Sequence, residues 1–137
     1  MKTTVATLGL AILVAIPLLA VDAKMGPLDN GRTIFQTGSD IYGHKTVAQQ
    51  RPLMASCAAC HRIDGSGGLK FPGGAKSADL RRKALSSVKP PYTLALLERA
   101  ISKGIDNEGK PLDKVMPRWK LSTRDLHDVA LYVQSLK

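Results

Sequence analysis

The chain of 137 residues is poor in several things that a domain of its size ordinarily draws on. Cysteine occurs only twice and tryptophan once, and aromatic residues make up 4% of the sequence. So few rings leave little to stack on bases, and no recognised nucleic-acid motif is present, which sets nucleic acid aside as a partner despite a basic composition. Strand-like alternation is missing as well, so no sheet is expected to organise the fold. No internal repeat appears. Acidic side chains are scarce: 11 Asp and Glu stand against 20 Lys and Arg, a net charge of +9. Most of that excess falls between Arg62 and Arg124, where 14 basic residues face 6 acidic ones. A field of that sign speeds encounter with acidic partners.

One long apolar run is present, and it stands at the start. Lys2 precedes "LGLAILVAIPLLAV" at residues 8–21, followed by "VDA" with small residues where a signal peptidase reads. This is the layout of a secretory signal, residues 1–23, cut after Ala23. The alternative is an uncleaved anchor, although Pro17 lies inside the run and its length is near the lower limit for spanning. Either way residues 24–137 are expected as one domain outside the cytoplasm, in the periplasm or otherwise exported.

That domain reads as short helices between long polar loops. Leu28, Gly31, Ile34 and Phe35 share a helical face ended by Gly38, and a helical turn is expected at Ser56 to Arg62. Residues 64–77 are glycine-rich loop, after which Ser77 is a candidate cap for a short helix. A helix from about Thr93 to Lys103 closes at Gly104, with Leu94, Leu97 and Ile101 as its apolar stripe. The last helix starts in the capping box "STRD" at 122–125 and carries Leu126, Val129, Ala130, Val133 and Leu136 on one face. This is thin material for a core, and small domains of the kind need a staple; a large apolar cofactor would be one.

The two cysteines supply the reason. They stand in "CAACH", Cys57 to His61, the attachment signature of c-type haem. Residues three apart share a helical face, so both thiols can reach the two vinyl groups on one edge of a porphyrin. His61 then projects beneath the ring as the proximal iron ligand. Three plainer readings compete. A dithiol redox motif needs a βαβ setting that is lacking here. A zinc site usually takes two such cysteine pairs, and only one is present. A disulfide between Cys57 and Cys60 leaves His61 unexplained.

A second iron ligand has to come from elsewhere. Met54 is too close to the motif, Met25 is near the start of the domain, His44 is in a loop of undefined reach, and His127 lies on the polar side of the last helix. Met116 stands in "LDKVMPRWKLS", a proline-ruled loop before the final helix. A gap-filling core methionine is the plain alternative there; with the haem signature, Met116 reads as the distal ligand.

The order of these features resembles class I cytochromes c: a first helix with Gly31 and Phe35, then CxxCH, a methionine loop with "MPRW", and a last helix with Tyr132. The resemblance covers residues 25–137 and implies an all-α fold of four or five short helices wrapping one haem c bound covalently through Cys57 and Cys60. It implies a crossing of the first and last helices near Gly31, Phe35 and Tyr132. It also implies that the Pro72 carbonyl receives the proximal imidazole proton, and that Arg118 and Trp119 meet the haem propionates. The chain departs from minimal members in its longer stretches at 38–52 and 74–91.

The function expected on this basis is one-electron transfer between redox proteins with acidic docking surfaces, as a free carrier or as the cytochrome subunit of a dehydrogenase or oxidase system. No catalytic residue is assigned. Membrane contact is expected only through an uncleaved N-terminal segment. The rivals are a haem enzyme or gas sensor with a displaceable distal ligand, and a subunit whose haem only holds the fold together.

Overall fold

The computed structural model describes residues 25–50 and 55–137. The leader at residues 1–23, with its expected cleavage, and Met54 lie outside the described residues. The first helix, α1, spans Pro27–Thr37, with Pro27 opening it and Gly38 closing it in the left-handed conformation. The short helix α2, Cys57–His61, starts where the Ser56 hydroxyl accepts the Ala59 amide. α3 spans Arg82–Ser87. α4, Leu94–Lys103, runs from the Thr93 hydroxyl cap to a left-handed Gly104. α5, Thr123–Ser135, begins at Ser122, whose hydroxyl accepts the Asp125 amide. Each of these ends satisfies helix-terminal amides or carbonyls that would otherwise lack partners.

Two strands of two residues each, β1 (Val47–Ala48) and β2 (Trp119–Lys120), pair antiparallel with Ala48 opposite Trp119. Alternation cannot register over two residues, which is why the sequence does not announce them. Ser77 does not cap a helix. Its hydroxyl accepts the Leu69 amide at 2.9 Å instead, and α3 begins five residues later at Arg82.

The core sits where α1 crosses α5. A Cβ on Gly31 would collide with the Asp128 carbonyl, lying 2.6 Å from its carbon and 2.9 Å from the Tyr132 Cβ. Only glycine allows that approach. Phe35 and Ala130 are fully buried beside the crossing, and Ile34, Val129 and Val133 nearly so. Burying each of the larger side chains contributes about 1.5–3 kcal/mol. The Phe35 and Tyr132 rings pack tilted, 5.4 Å between centroids. Leu28, expected on the same face of α1, is half exposed in the first turn. α4 packs Leu97 and Ile101 into the same core.

Asn30 is a polar hub at the crossing. Its buried amide donates to Asp125 at 2.9 Å and to Asp128 at 2.8 Å, while its carbonyl oxygen accepts the Ile41 amide at 3.1 Å. One side chain thereby fastens α1 to α5 and to the loop after α1. Among the described residues, no helix is long and apolar enough to cross a membrane.

Candidate functional site

Beside the crossing lies a cavity of roughly 1010 Å³, counted to its open mouth. Its walls are largely hydrocarbon, from Phe35, Leu97, Ile101, Val129 and Val133 among others. Cys57, Cys60 and His61 enter from α2, and Met116 from the loop before β2. Burial pushes the Cys57 thiol up to about 12, and burial raises the Cys60 thiol too, so before haem attachment both are protonated thiols that line the cavity.

His61 is almost fully buried, and its Nδ1 donates to the Ala78 carbonyl at 2.8 Å. Burial lowers its pKa, a shift partly opposed by that hydrogen bond, so the ring is neutral. With the proton on Nδ1, the lone pair is on Nε2, the state a metal-binding imidazole requires. Gly67 makes room for this contact: its φ is +62°, and a Cβ there would lie 2.6 Å from the Ala78 carbonyl carbon.

The loop carrying Met116 is held from two sides. The Arg118 guanidinium donates to the Asp113 carbonyl at 2.9 Å and the Leu112 carbonyl at 2.7 Å, and it also reaches the carbonyls of Met116 and Gly104. From across the β1–β2 pair, the Gln50 side chain donates to the Met116 carbonyl at 3.2 Å and accepts the Arg118 amide at 3.2 Å. Five donors in a fixed fork suit such a cluster of carbonyls better than any other side chain does.

The family model for cytochrome c matches residues 28–137. The chain belongs to the cytochrome c family. No match was found among the curated proteins or among the solved structures. As a cytochrome c, the protein is an electron-transfer haem protein, with haem c bound covalently through Cys57 and Cys60.

The cavity fits that group on its own terms. A wide apolar slot, two thiols three residues apart at its edge, and a neutral buried imidazole with Nε2 available form a donor set suited to a porphyrin. Zinc is less well served: among the described residues no three His, Cys, Asp or Glu converge as a metal site. When bound, the haem supplies a one-electron iron couple; the chain supplies burial, ligands and surface.

The Pro72 expectation is corrected by the geometry of this cytochrome. Pro72 is exposed in a turn at the tip of the 64–77 loop, and the imidazole partner is Ala78, 17 residues after His61. The loop arches outward through left-handed glycines at 65, 67, 68, 73 and 74, which carries Pro72 away and returns the chain beside His61 at Ala78. Arg118 does not line the cavity, because its guanidinium is occupied by loop carbonyls. Trp119 does not line it either; it is buried in the core and held in register by Ala48. Sequence reasoning also missed Asn30, whose signal was an asparagine beside Gly31 on the apolar face of α1.

The other histidines have separate partners. His44 contacts Asp40 at 2.8 Å with its side chain 80% exposed, and His127 contacts Glu98 at 2.9 Å. Met25 is exposed near the start of α1.

Proposed function

We propose that this cytochrome is an exported one-electron carrier whose haem iron takes His61 and Met116 as its two axial ligands. The observation that carries this reading is that both side chains line one apolar cavity, while His44 and His127 are engaged elsewhere. With both axial positions filled, no open site is left for substrate. Thioether ligation favours the ferrous state and raises the potential. The fork of Arg118 and the Gln50 amide restrain the methionine loop, so little need rearrange between oxidation states.

The partners on this reading are redox proteins with acidic docking surfaces. The basic excess between Arg62 and Arg124 supports it, since complementary charge raises the encounter rate more than the final affinity. Its place is the periplasm or an equivalent compartment, in keeping with the charge-free stretch from Thr3 to Val21. Service as the cytochrome subunit of a dehydrogenase or oxidase system is the finer form of the same role.

An absorption spectrum of the secreted protein, oxidised and reduced, with and without carbon monoxide, tests this. A low-spin spectrum with a sulfur-to-iron band when oxidised, unchanged by carbon monoxide, is expected. A high-spin spectrum or rapid carbon monoxide binding would remove Met116 from the iron and favour an enzyme or sensor. N-terminal sequencing of the exported protein tests the cut after Ala23.

A further inference from the structure

A second hollow, of roughly 510 Å³ counted to its open mouth, is lined by Arg82, Leu85, Ser86, Tyr92 and Gln134. Leu85 and Tyr92 line the apolar cavity as well. The two are tied together, the Tyr92 amide donating to the Leu85 carbonyl at 3.0 Å. One layer of side chains therefore stands between this surface hollow and the space that holds the haem. The hollow lies where α3 meets the last turn of α5. There the Arg82 amide donates to the Leu136 carbonyl at 2.9 Å, and its Nε to the Gln134 carbonyl at 3.2 Å.

The charge around the hollow is of one sign. Residues 81–91 carry Arg81, Arg82, Lys83 and Lys89 and no acidic side chain. Arg81 is paired with Asp79. Among the described residues no ion pair includes Arg82, Lys83 or Lys89, and all three are exposed. The acid-bearing loop after α4 reaches this segment, Asn107 donating its side-chain amide to the Pro90 carbonyl at 2.7 Å. Its two acids are engaged within the loop. Glu108 pairs with Lys110 at 2.8 Å, and Asp106 Oδ1 accepts the amides of Glu108 and Lys110.

We propose that this α3 face is the docking port for an acidic redox protein, with a carboxylate of the partner seated on Arg82 in the hollow. The proposal rests on the electron-carrier reading and gives its partner a place. Arg82 keeps its charge at every physiological pH, and with Nε on a carbonyl its outer nitrogens remain to meet a carboxylate. Lys83 and Lys89 extend the field that steers the encounter. A partner seated here has only the Leu85–Tyr92 layer between it and the haem. One electron crosses, between the iron and the partner's own redox centre, and no bond forms or breaks.

A protein suits this face better than a membrane or a nucleic acid does. A helix that lies on a membrane needs an apolar side to bury in it, whereas α3 turns Leu85 into the core and shows the outside Arg82, Lys83, Ser86 and Ser87. Single strands of nucleic acid need exposed rings to stack on, and the ring here, Tyr92, serves as wall between two spaces. Cations beside a modest apolar surface, here Val88 at 39% exposure, suit a protein rim of acids around a small apolar contact.

The test is stopped-flow oxidation of the haem-loaded ferrous protein by hexacyanoferrate(III), a trivalent anion, at an ionic strength of about 0.1 M. Reversing a charge in contact with that anion should slow the reaction by about tenfold, and Arg82→Glu should do so. Lys45→Glu makes the same charge change near the other end of α5, where Tyr42 of its loop lies under Arg124. The 13 residues of α5 separate its ends by about 20 Å, two screening lengths, so this control should slow oxidation by less than about twofold. Equal slowing by the two variants, or none by Arg82→Glu, overturns the port. Where Arg82→Glu does not fold, Lys83→Glu and Lys89→Glu decide by the same comparison. Amide shifts of the ferrous wild type titrated with a hexaglutamate peptide check the partner's class, and they should fall on residues 81–89 and Gln134. Shifts confined to other residues overturn the port, as do shifts raised there by anionic phospholipid vesicles and not by the peptide. A wild-type ferrous protein that hexacyanoferrate(III) does not oxidise is a different failure, since it removes the carrier reading itself.

Discussion

Replacing Gly31 by alanine tests the packing on which the site rests. The added methyl would lie 2.6 Å from the Asp128 carbonyl carbon and 2.9 Å from the Tyr132 Cβ. Carbon atoms in contact settle at about 3.5–4.0 Å, so α1 and α5 have to separate by about 1 Å at their crossing. Overpacking of this kind costs about 1–3 kcal/mol. The same separation stretches the bonds from Asn30 to Asp125 and Asp128, now 2.9 and 2.8 Å, and hydrogen bonds to charged groups are worth about 1.5–3 kcal/mol each. Alanine's better helix propensity offsets only about 1 kcal/mol. The net loss should be about 2–4 kcal/mol. Urea unfolding of the haem-loaded protein, followed by far-ultraviolet circular dichroism and the Soret band, measures it. With a slope of about 1–3 kcal/mol/M, the midpoint should fall by about 1–2 M. Gly26→Ala is the control, because a Cβ there meets nothing within 4 Å, and it should cost no more than about 1 kcal/mol. Equal midpoints for Gly31→Ala and the wild type, at unchanged slope, would refute the account of the crossing.

Met116→Ala should leave the haem attached and make the ferrous protein bind carbon monoxide, seen as a Soret shift that the wild type lacks. Arg118→Gln should cost about 2–3 kcal/mol in urea unfolding through lost carbonyl bonds, and it should weaken the sulfur-to-iron band. The Arg81 side chain, donating to Asp79 at 2.6 Å, holds that carboxyl at about 2 against an ordinary 3.8. A depressed folded value means the stabilisation is complete above about pH 4 and is lost as pH falls toward 2. Both partners are a third or more exposed, so it amounts to under about 1 kcal/mol. Asp79→Asn should remove that part of the acid-side slope in an acid titration of the Soret band.

Local chemistry was readable from the chain; long-range geometry was not. The caps at Thr93 and Ser122 and the glycine stops at Gly38 and Gly104 act within a few residues, so their spacing alone located α4, α5 and the end of α1. The CAACH motif is equally local. Pro72 was misassigned because the path of the 64–77 loop is set by five glycines with positive φ, and glycine leaves that choice open in a sequence. The contacts of Arg118 were illegible for another reason: its acceptors at Gly104, Leu112, Asp113 and Met116 are backbone carbonyls, which every residue carries. The burial of Trp119 was illegible because the two-residue ladder that fixes it left no periodic trace. Asn30 belongs to the same class, as a polar group whose partners are assembled only by the fold.

The supply of the His61 hydrogen bond by Ala78 leaves the turn at residues 72–74 of the intervening loop free to vary. Its neck is pinned where Gly68 donates to the Ser77 carbonyl and Ser77 to the Leu69 carbonyl, each at 2.9 Å. Beyond the neck, Pro72, Gly73 and Gly74 are exposed, and side chains added at the two glycines would meet nothing within 4 Å. The turn at residues 72–74 is therefore a place where segments can be lengthened or exchanged while the imidazole stays put. Chain can be added at this turn while the Ala78 carbonyl past the neck still holds the histidine and Phe71 still closes the cavity.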